Sequence, residues 1–290
     1  KKTVNQDNTS SYHLFYGDAE GNPGTEITFF DIPGLGRTHE GVSSISSTSL
    51  RVATTESLRF WQQRFRAFNI KQEEIKIRAD RDTLAFEDFE GTKLLLVADN
   101  GELGVPAGVP WERNDIPKEH AIVGLGPVTL TVKSALPTTS ILTNVLGFQK
   151  KGTYPSLKGD FPDIEVYTTG EGGAGAEVHI ETRPDLPSEK IGRGGVHHVA
   201  FRVPNKEEFQ KWVQRVRETR LPNSGEVERY YFKALYFREP NGILFELSTD
   251  TPGFSADEPL ETMGEKLALP PFLESKREEI EASLRPLEIN

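Results

Sequence analysis

The sequence predicts an α+β protein built from four tandem βαβββ modules, the first of which lacks its opening strand and helix. Residues 46–99 align without a gap to residues 197–250 at a constant offset of 151, which indicates an internal duplication. Each copy combines an alternating strand, an amphipathic helix and further strands separated by turn residues. Weaker matches to the same pattern occupy much of residues 1–31 and 124–181.

The two long copies share residues that unrelated segments would rarely share by chance. Tryptophan, a turn glycine and the apolar pattern all recur at the same offset. The matched pairs include Arg51/Arg202, Val52/Val203, Glu56/Glu207, Trp61/Trp212, Arg64/Arg215, Arg78/Arg229, Phe86/Phe237, Gly91/Gly242 and Asp99/Asp250. Duplication is therefore favoured over coincidence.

The later of these copies shows the elements of one module most clearly. Alternating apolar residues predict a strand over 199–203, and Pro204-Asn205 predicts a helix start. Strands are predicted over 230–237 and 243–247, joined by the turn sequence at 239–242. Between the strand at 199–203 and the strand at 230–237, apolar residues recur at helical spacing: Phe209, Trp212 and Val216.

The other two copies are read by comparison with this one. The third copy begins near Gly124, with a strand over 128–132, a helix around 140–145 and strands that end at 176–181. The N-terminal stretch matches only the second half of the third copy. Its matched pairs are Tyr16/Tyr167, Gly24/Gly175 and Glu26/Glu177. The first module is therefore expected to lack its opening strand and helix, roughly 25 residues by comparison with 124–148.

The module pattern predicts a domain organisation. We expect an N-terminal module pair over 1–99, a linker rich in Pro, Gly and charge over 100–120, and a C-terminal module pair over 121–254. The last segment, 255–290, is expected to be a polar tail with one surface-packed helix over 273–284. The candidate metal site lies in the C-terminal pair.

Composition narrows the classes of partner. The formal charge of -10 and the lack of a Lys/Arg-rich run argue against nucleic acid or anionic membrane and favour a small molecule. Because the chain has no cysteine, any metal must use nitrogen and oxygen ligands. No apolar run approaches the length of a membrane span. A cytoplasmic location is expected, and a homo-oligomer is compatible with the sequence.

The chemistry is indicated by a difference between the copies. The fourth module has His198 and Glu246 where the second has Ser47 and Leu95, while the surrounding apolar pattern is unchanged. Glu246 lies in an otherwise apolar strand, where burial of an unpaired carboxylate would cost several kcal/mol. A bound metal would remove that cost. The alternative is that Glu246 points to solvent.

The paired histidines favour the metal. Strand alternation is expected to send His197 and His198 to opposite faces, so that one of them ligates. Two His and one carboxylate on one face suit Fe(II) that binds a substrate oxygen and O2 together. The third module offers Gly126-Pro127 for the second His, so that ligand is expected from the first strand of the first module. Without that histidine we expect weak Fe(II) binding and little ring-cleaving activity. Strong activity would indicate that the remaining ligand is instead His13 or His179.

At this point the residues resemble the ring-cleaving dioxygenases of the glyoxalase/vicinal-oxygen-chelate superfamily, in particular the hydroquinone-cleaving group. The resemblance spans essentially the whole chain. It is carried by the segments Lys1-Lys2-Thr3-Val4-Asn5, Tyr12-His13-Leu14, Gly21-Asn22-Pro23-Gly24-Thr25, Val196-His197-His198-Val199-Ala200-Phe201, Phe237-Arg238-Glu239-Pro240 and 250–254.

The resemblance implies roles for five residues. His198 and Glu246 would be Fe(II) ligands, with Mn(II) or another divalent metal as the alternative. His197, Arg229 and Tyr236 would support the ligands or contact the substrate. A structural role stays open for Arg229, because the second module has Arg78 at the same position, whereas Tyr236 aligns with Ala85, which favours function.

Three functions are compatible with these observations. The first is an Fe(II)-dependent, extradiol-type dioxygenase that opens hydroquinone-like rings with O2. The second is a glyoxalase-like metal-dependent lyase or isomerase, which would usually place a second carboxylate in the partner module, where Thr28 stands. The third is a small-molecule binding protein that uses the cleft without metal.

Overall fold

The computed structural model describes residues 1–287. Within this range, fifteen β-strands form three sheets and four α-helices pack against them. The α+β class that the sequence predicts is confirmed. No helix among these residues is long and apolar enough to cross a membrane.

The first sheet is small and antiparallel. It contains β1 (Lys2–Asn5), β2 (Asn8–Tyr16) and β3 (Ile27–Asp31), in that order. Thr3, His13 and Phe30 are direct neighbours across the three strands. They therefore share one face of the sheet.

The second and third copies share one sheet of eight strands. The second copy supplies β4 (Ser44–Val52), α1 (Thr55–Ala67), β5 (Lys76–Arg78), β6 (Arg81–Glu87) and β7 (Lys93–Ala98). The third supplies β8 (Ile122–Val132), α2 (Ala135–Ser140) with a π-helical turn at Ile141–Val145, β9 (Gln149–Tyr154), β10 (Ile164–Thr168) and β11 (Glu177–Thr182). The strand order is β5-β6-β7-β4-β8-β11-β10-β9.

The two halves of this sheet meet between β4 and β8. That pairing is antiparallel, whereas β4 runs parallel to β7 and β8 runs parallel to β11. After pairing within its own copy, each first strand keeps one edge of free N–H and C=O groups, and the two edges satisfy each other. Strands on both sides of the predicted linker at 100–120 thus join in one sheet. The module pattern had instead predicted that the second copy pairs with the first and the third with the fourth.

The fourth copy forms a separate sheet with the order β12-β15-β14-β13. It contains β12 (Val199–Val203), α3 (Lys206–Glu218), β13 (Val227–Glu228), β14 (Lys233–Arg238) and β15 (Leu244–Thr249). Val199 pairs with Phe245 as Thr48 pairs with Leu94, and the offset of 151 holds along both strands. The strand-for-strand correspondence predicted for the second and fourth copies is confirmed.

Helix α3 determines which side of this sheet is left for chemistry. Its first turn is capped by the Asn205 side chain, which accepts a hydrogen bond from the backbone N–H of Glu208. The apolar stripe of the helix faces alternate residues of β14 and β15 in the largest core cluster. These residues are Phe209, Val213, Val216, Leu235, Phe237, Phe245 and Leu247. Glu246, between two of them in β15, therefore faces the opposite side of the sheet.

The C-terminal segment packs on the first sheet. Its helix α4 (Arg277–Ser283) follows a 3-10 turn at Glu274–Lys276, so the helix is shorter than the one predicted over 273–284. The contact is an apolar cluster with members Val4, Leu269, Leu273, Ile280 and Leu284.

Candidate metal centre

A buried histidine–carboxylate pair lies at the centre of the site. The Glu246 side chain is only 3% exposed, and its Oε2 lies 2.8 Å from Nε2 of His198. Ser248, two residues further along β15 on the same face, donates a hydrogen bond to the other carboxylate oxygen. The sequence prediction that His198 and Glu246 converge on one point is confirmed.

The carboxylate of Glu246 is kept ionised by its neighbours. Burial raises the pKa of Glu246, but hydrogen bonds from His198, Ser248 and Tyr236, together with the charge of His198, outweigh burial and lower that pKa below its usual value. An anionic oxygen beside an imidazole nitrogen is a donor pair suited to a divalent metal ion.

Tyr236 and Arg229 form the adjoining wall. Tyr236 lies directly across from Glu246 on β14, and its ring centroid is 6.0 Å from that of His198. Nε of Arg229 donates to the Tyr236 hydroxyl at 3.4 Å, and the guanidinium lies 5.3 Å from the centre of the Tyr236 ring. Burial and the charge of Glu246 raise the pKa of Tyr236, so the phenol keeps its proton at neutral pH.

The first sheet holds Arg229 from the other side. Asp7 Oδ2 accepts a hydrogen bond of 2.9 Å from Arg229, and the Gln6 side-chain amide donates 2.8 Å to the backbone carbonyl of the same arginine. Phe30 on β3 meets the His197 ring edge-on at 6.1 Å. The site therefore lies between the first sheet and the fourth copy.

The placement of His197 differs from the prediction. Both histidines precede β12 and do not alternate across it, and their Nδ1 atoms lie 3.0 Å apart. In the second copy the equivalent residues belong to β4, because β8 pairs with that stretch. Within residues 1–287, β12 pairs only with β15, so its strand begins two residues later than predicted. His197 consequently contacts His198 through a ring nitrogen.

The donors present supply two ligands to one point. No group of three or more His, Cys, Asp or Glu side chains in the part of the chain that the structure describes is arranged to hold a metal. The pair still fits a divalent ion, since it joins one nitrogen and one oxygen at short distance in a buried setting.

The equivalent cleft between the second and third copies is filled by ion pairs. Arg81 donates to both carboxylate oxygens of Glu177 at 2.8 and 2.9 Å, and His179 lies 3.2 Å from the same carboxylate. Burial raises the pKa of Glu177, but hydrogen bonds from His179, Arg81 and Lys151 lower it far below its usual range. His179 is thus engaged in the other cleft.

Sequence reasoning missed Ser248, Asp7 and Gln6. Ser248 had a signal, because it lies two residues after Glu246 and strand alternation places both on one face. Asp7 and Gln6 had none, since each meets a residue more than 220 positions away.

Comparison with known proteins agrees with this fold. The family described as Glyoxalase/Bleomycin resistance protein/Dioxygenase superfamily matches residues 124–247. The Bacillus subtilis protein named "Putative ring-cleaving dioxygenase MhqA" is 52% identical over 288 residues, which cover 99% of this chain and 90% of that protein. The chain belongs to the ring-cleaving dioxygenases of the glyoxalase superfamily. The resemblance noted in the sequence is confirmed.

Three further comparisons are informative. The chlorohydroquinone/hydroquinone 1,2-dioxygenase of Sphingobium indicum is 29% identical, with 97% of this chain and 85% of that protein covered. The crystal structure of a Bacillus subtilis protein described as "putative dioxygenase" superposes with a TM-score of 0.88 at 33% identity and covers all of this chain and 89% of that one. Glyoxalase I of maize has a TM-score of 0.61 at 12% identity, covers 87% of this chain and 83% of that one, and shares the fold alone.

Proposed function

We propose that the protein opens hydroquinone-like aromatic rings with O2 in an Fe(II)-dependent, extradiol-type reaction, with His198 and Glu246 as metal ligands. The observation that carries the proposal is the buried pair of His198 Nε2 and Glu246 Oε2 at 2.8 Å. The name of the Sphingobium relative supports the substrate class. When bound, Fe(II) would supply the redox chemistry by which O2 is activated towards the aromatic ring.

His197 orients His198 for the metal. Nδ1 of His198 lies 3.0 Å from Nδ1 of His197, so with a metal bound a proton on Nδ1 of His198 would be donated to His197, and Nε2, released from Glu246, would be the ligating atom. Such a partner on the second ring nitrogen fixes the orientation of a ligating imidazole. His197 would thereby act on the metal through His198.

Tyr236 and Arg229 would bind and polarise the substrate oxygen. The protonated Tyr236 phenol can donate a hydrogen bond to an oxygen held near His198, and Arg229 fixes the direction of that hydroxyl. The positive charge of Arg229 also stabilises negative charge that develops on the ring oxygen. Phe30 of the first sheet places an apolar ring beside His197 on this side.

Anaerobic Fe(II) titration followed by O2 uptake with hydroquinone tests the proposal. We expect His198→Ala and Glu246→Gln to lose Fe(II) binding and O2 uptake. The exposed residues His39 and Glu56 provide matched controls, and His39→Ala and Glu56→Gln should behave as the wild type. A parallel Mn(II) titration checks the identity of the metal. Undiminished iron binding in both site variants would reject the assignment.

The alternatives give different results in the same assays. A glyoxalase-like lyase or isomerase would bind metal but consume no O2, and the partner sheet offers it Thr28 rather than a second carboxylate. A metal-free binding protein would bind hydroquinone equally well after the protein is treated with a chelator.

A further inference from the structure

Two polar side chains on the first sheet have buried atoms without hydrogen-bond partners. Within residues 1–287, Nε2 of His13 and Oγ1 of Thr3 are buried and make no hydrogen bond. The two residues are direct neighbours across β1 and β2. Buried polar atoms are nearly always paired, so two adjacent exceptions indicate a partner that binds there.

This pair faces the candidate metal centre. Phe30, the neighbour of His13 on β3, stacks on the His13 ring at 4.2 Å and meets the His197 ring at 6.1 Å. Because Thr3, His13 and Phe30 share one face of the first sheet, the His13 ring and the Thr3 side chain lie on the side of that sheet that meets His197.

The His13 ring is fixed and uncharged. Phe15 and Phe30 enclose it, with ring centroids 4.0 and 4.2 Å from that of His13. Burial, followed by the charges of His198 and Arg229, lowers the pKa of His13 to about 3. A neutral imidazole has one donor and one acceptor nitrogen, and the Thr3 hydroxyl can also do both. Together they suit a hydroxyl or a carbonyl oxygen.

His13 is not placed to ligate the metal. A third ligand would have to lie within a few ångströms of both His198 Nε2 and Glu246 Oε2. His13 Nε2 makes no hydrogen bond with either of them, and no three-residue ligand group occurs within residues 1–287. The pair therefore lies across the cleft from the metal donors.

We propose that Thr3 and His13 bind the oxygen substituent of the aromatic substrate that lies remote from the metal. This inference rests on the proposed function. A hydroquinone carries oxygens at opposite ends of its ring, so one oxygen can meet the metal donors while the other meets this polar pair. A phenol lacks the second oxygen. The pair would thus select rings with two oxygens over rings with one.

Anaerobic calorimetry of hydroquinone and of phenol binding to the Fe(II)-loaded protein tests this inference without turnover. Thr3→Val and His13→Phe keep shape and stacking but remove the hydrogen-bonding atoms. Each should weaken hydroquinone binding roughly three- to tenfold and phenol binding less than twofold. His13→Gln, which retains a polar atom near Nε2, should stay within about twofold of the wild type.

The outcomes separate this inference from the proposed function. Equal loss of hydroquinone and phenol binding would show a general disturbance of the site and overturn the inference. Unchanged hydroquinone binding in Thr3→Val and His13→Phe would overturn it as well, while the proposed function would stand. A wild-type protein that binds Fe(II) but neither ring compound would overturn both.

Discussion

Replacement of His198 by the residue of the second copy tests whether Glu246 is a buried charge that needs a partner. In metal-free protein, His198→Ser removes the imidazole that lies 2.8 Å from a carboxylate only 3% exposed. Loss of one partner of a buried pair typically costs about 3–5 kcal/mol. Because the His198 side chain is 19% exposed and Ser248 keeps its hydrogen bond to Glu246, we expect a loss of about 2–3 kcal/mol.

The second copy also supplies the compensating change. Its residue at the Glu246 position is Leu95, in the same strand register. The double variant His198→Ser, Glu246→Leu should recover most of the lost stability, since no charge is then left buried. Ser47→Ala in the second copy is the matched control and should change stability by less than about 0.5 kcal/mol.

Urea denaturation with EDTA, followed by circular dichroism, gives the midpoint and slope for the wild type, His198→Ser, Glu246→Leu, the double variant and the Ser47→Ala control. The two single variants and the double variant close a mutant cycle, and its coupling term measures the pair directly. A wild-type midpoint for His198→Ser would refute the reasoning. Failure of the Glu246→Leu change to restore stability would refute the equivalence of the two copies.

Three further predictions concern the surroundings of the site. Folding lowers the pKa of His13 from 6.5 to about 3, so as the pH falls below 6.5 the unfolded chain binds a proton at His13 and the folded chain does not. The free energy of unfolding should therefore fall by up to about 1.4 kcal/mol per pH unit below pH 6.5. Urea titrations at pH 5 and 7 should show this loss in the wild type and not in His13→Phe. Asp7→Ala frees Arg229 and should lower turnover about two- to tenfold with iron content unchanged; because Asp7 is 72% exposed, stability should change by less than about 1 kcal/mol. Arg81→Met leaves Glu177 without its bidentate partner and should cost about 3 kcal/mol in thermal unfolding, whereas an unchanged midpoint would show that Lys151 and His179 suffice.

The constant offset in the sequence predicted that the strands of the second and fourth copies correspond, and the difference between these copies at two positions predicted the meeting of His198 with Glu246. The offset did so because a duplicated strand pair repeats its backbone hydrogen bonds at each equivalent position. The offset could not predict that β4 pairs with β8. Every first strand offers the same kind of free edge, and an alignment of copies does not identify the edge that it meets.

The missed features depend on neighbours that are distant in the sequence. The start of β12 depends on a strand beside it, so alternation at His197 and His198 could not be read from those residues alone. The contact of Asp7 with Arg229 joins a turn of the first sheet to a loop 222 residues away. Local patterns carry no information about such a pair.

The two clefts differ in the contacts that join their sides. The second and third copies share backbone hydrogen bonds along β4 and β8, so they can separate only if a sheet is broken. Among residues 1–287, no backbone hydrogen bond joins β1–β3 to β12–β15, and side-chain contacts such as Asp7 with Arg229 connect these sheets. Separation of β1–β3 from β12–β15 would therefore exchange side-chain contacts and break no sheet, whereas the ion-paired cleft lies within one continuous sheet. A substrate that enters between these two sheets would not have to break any strand pairing.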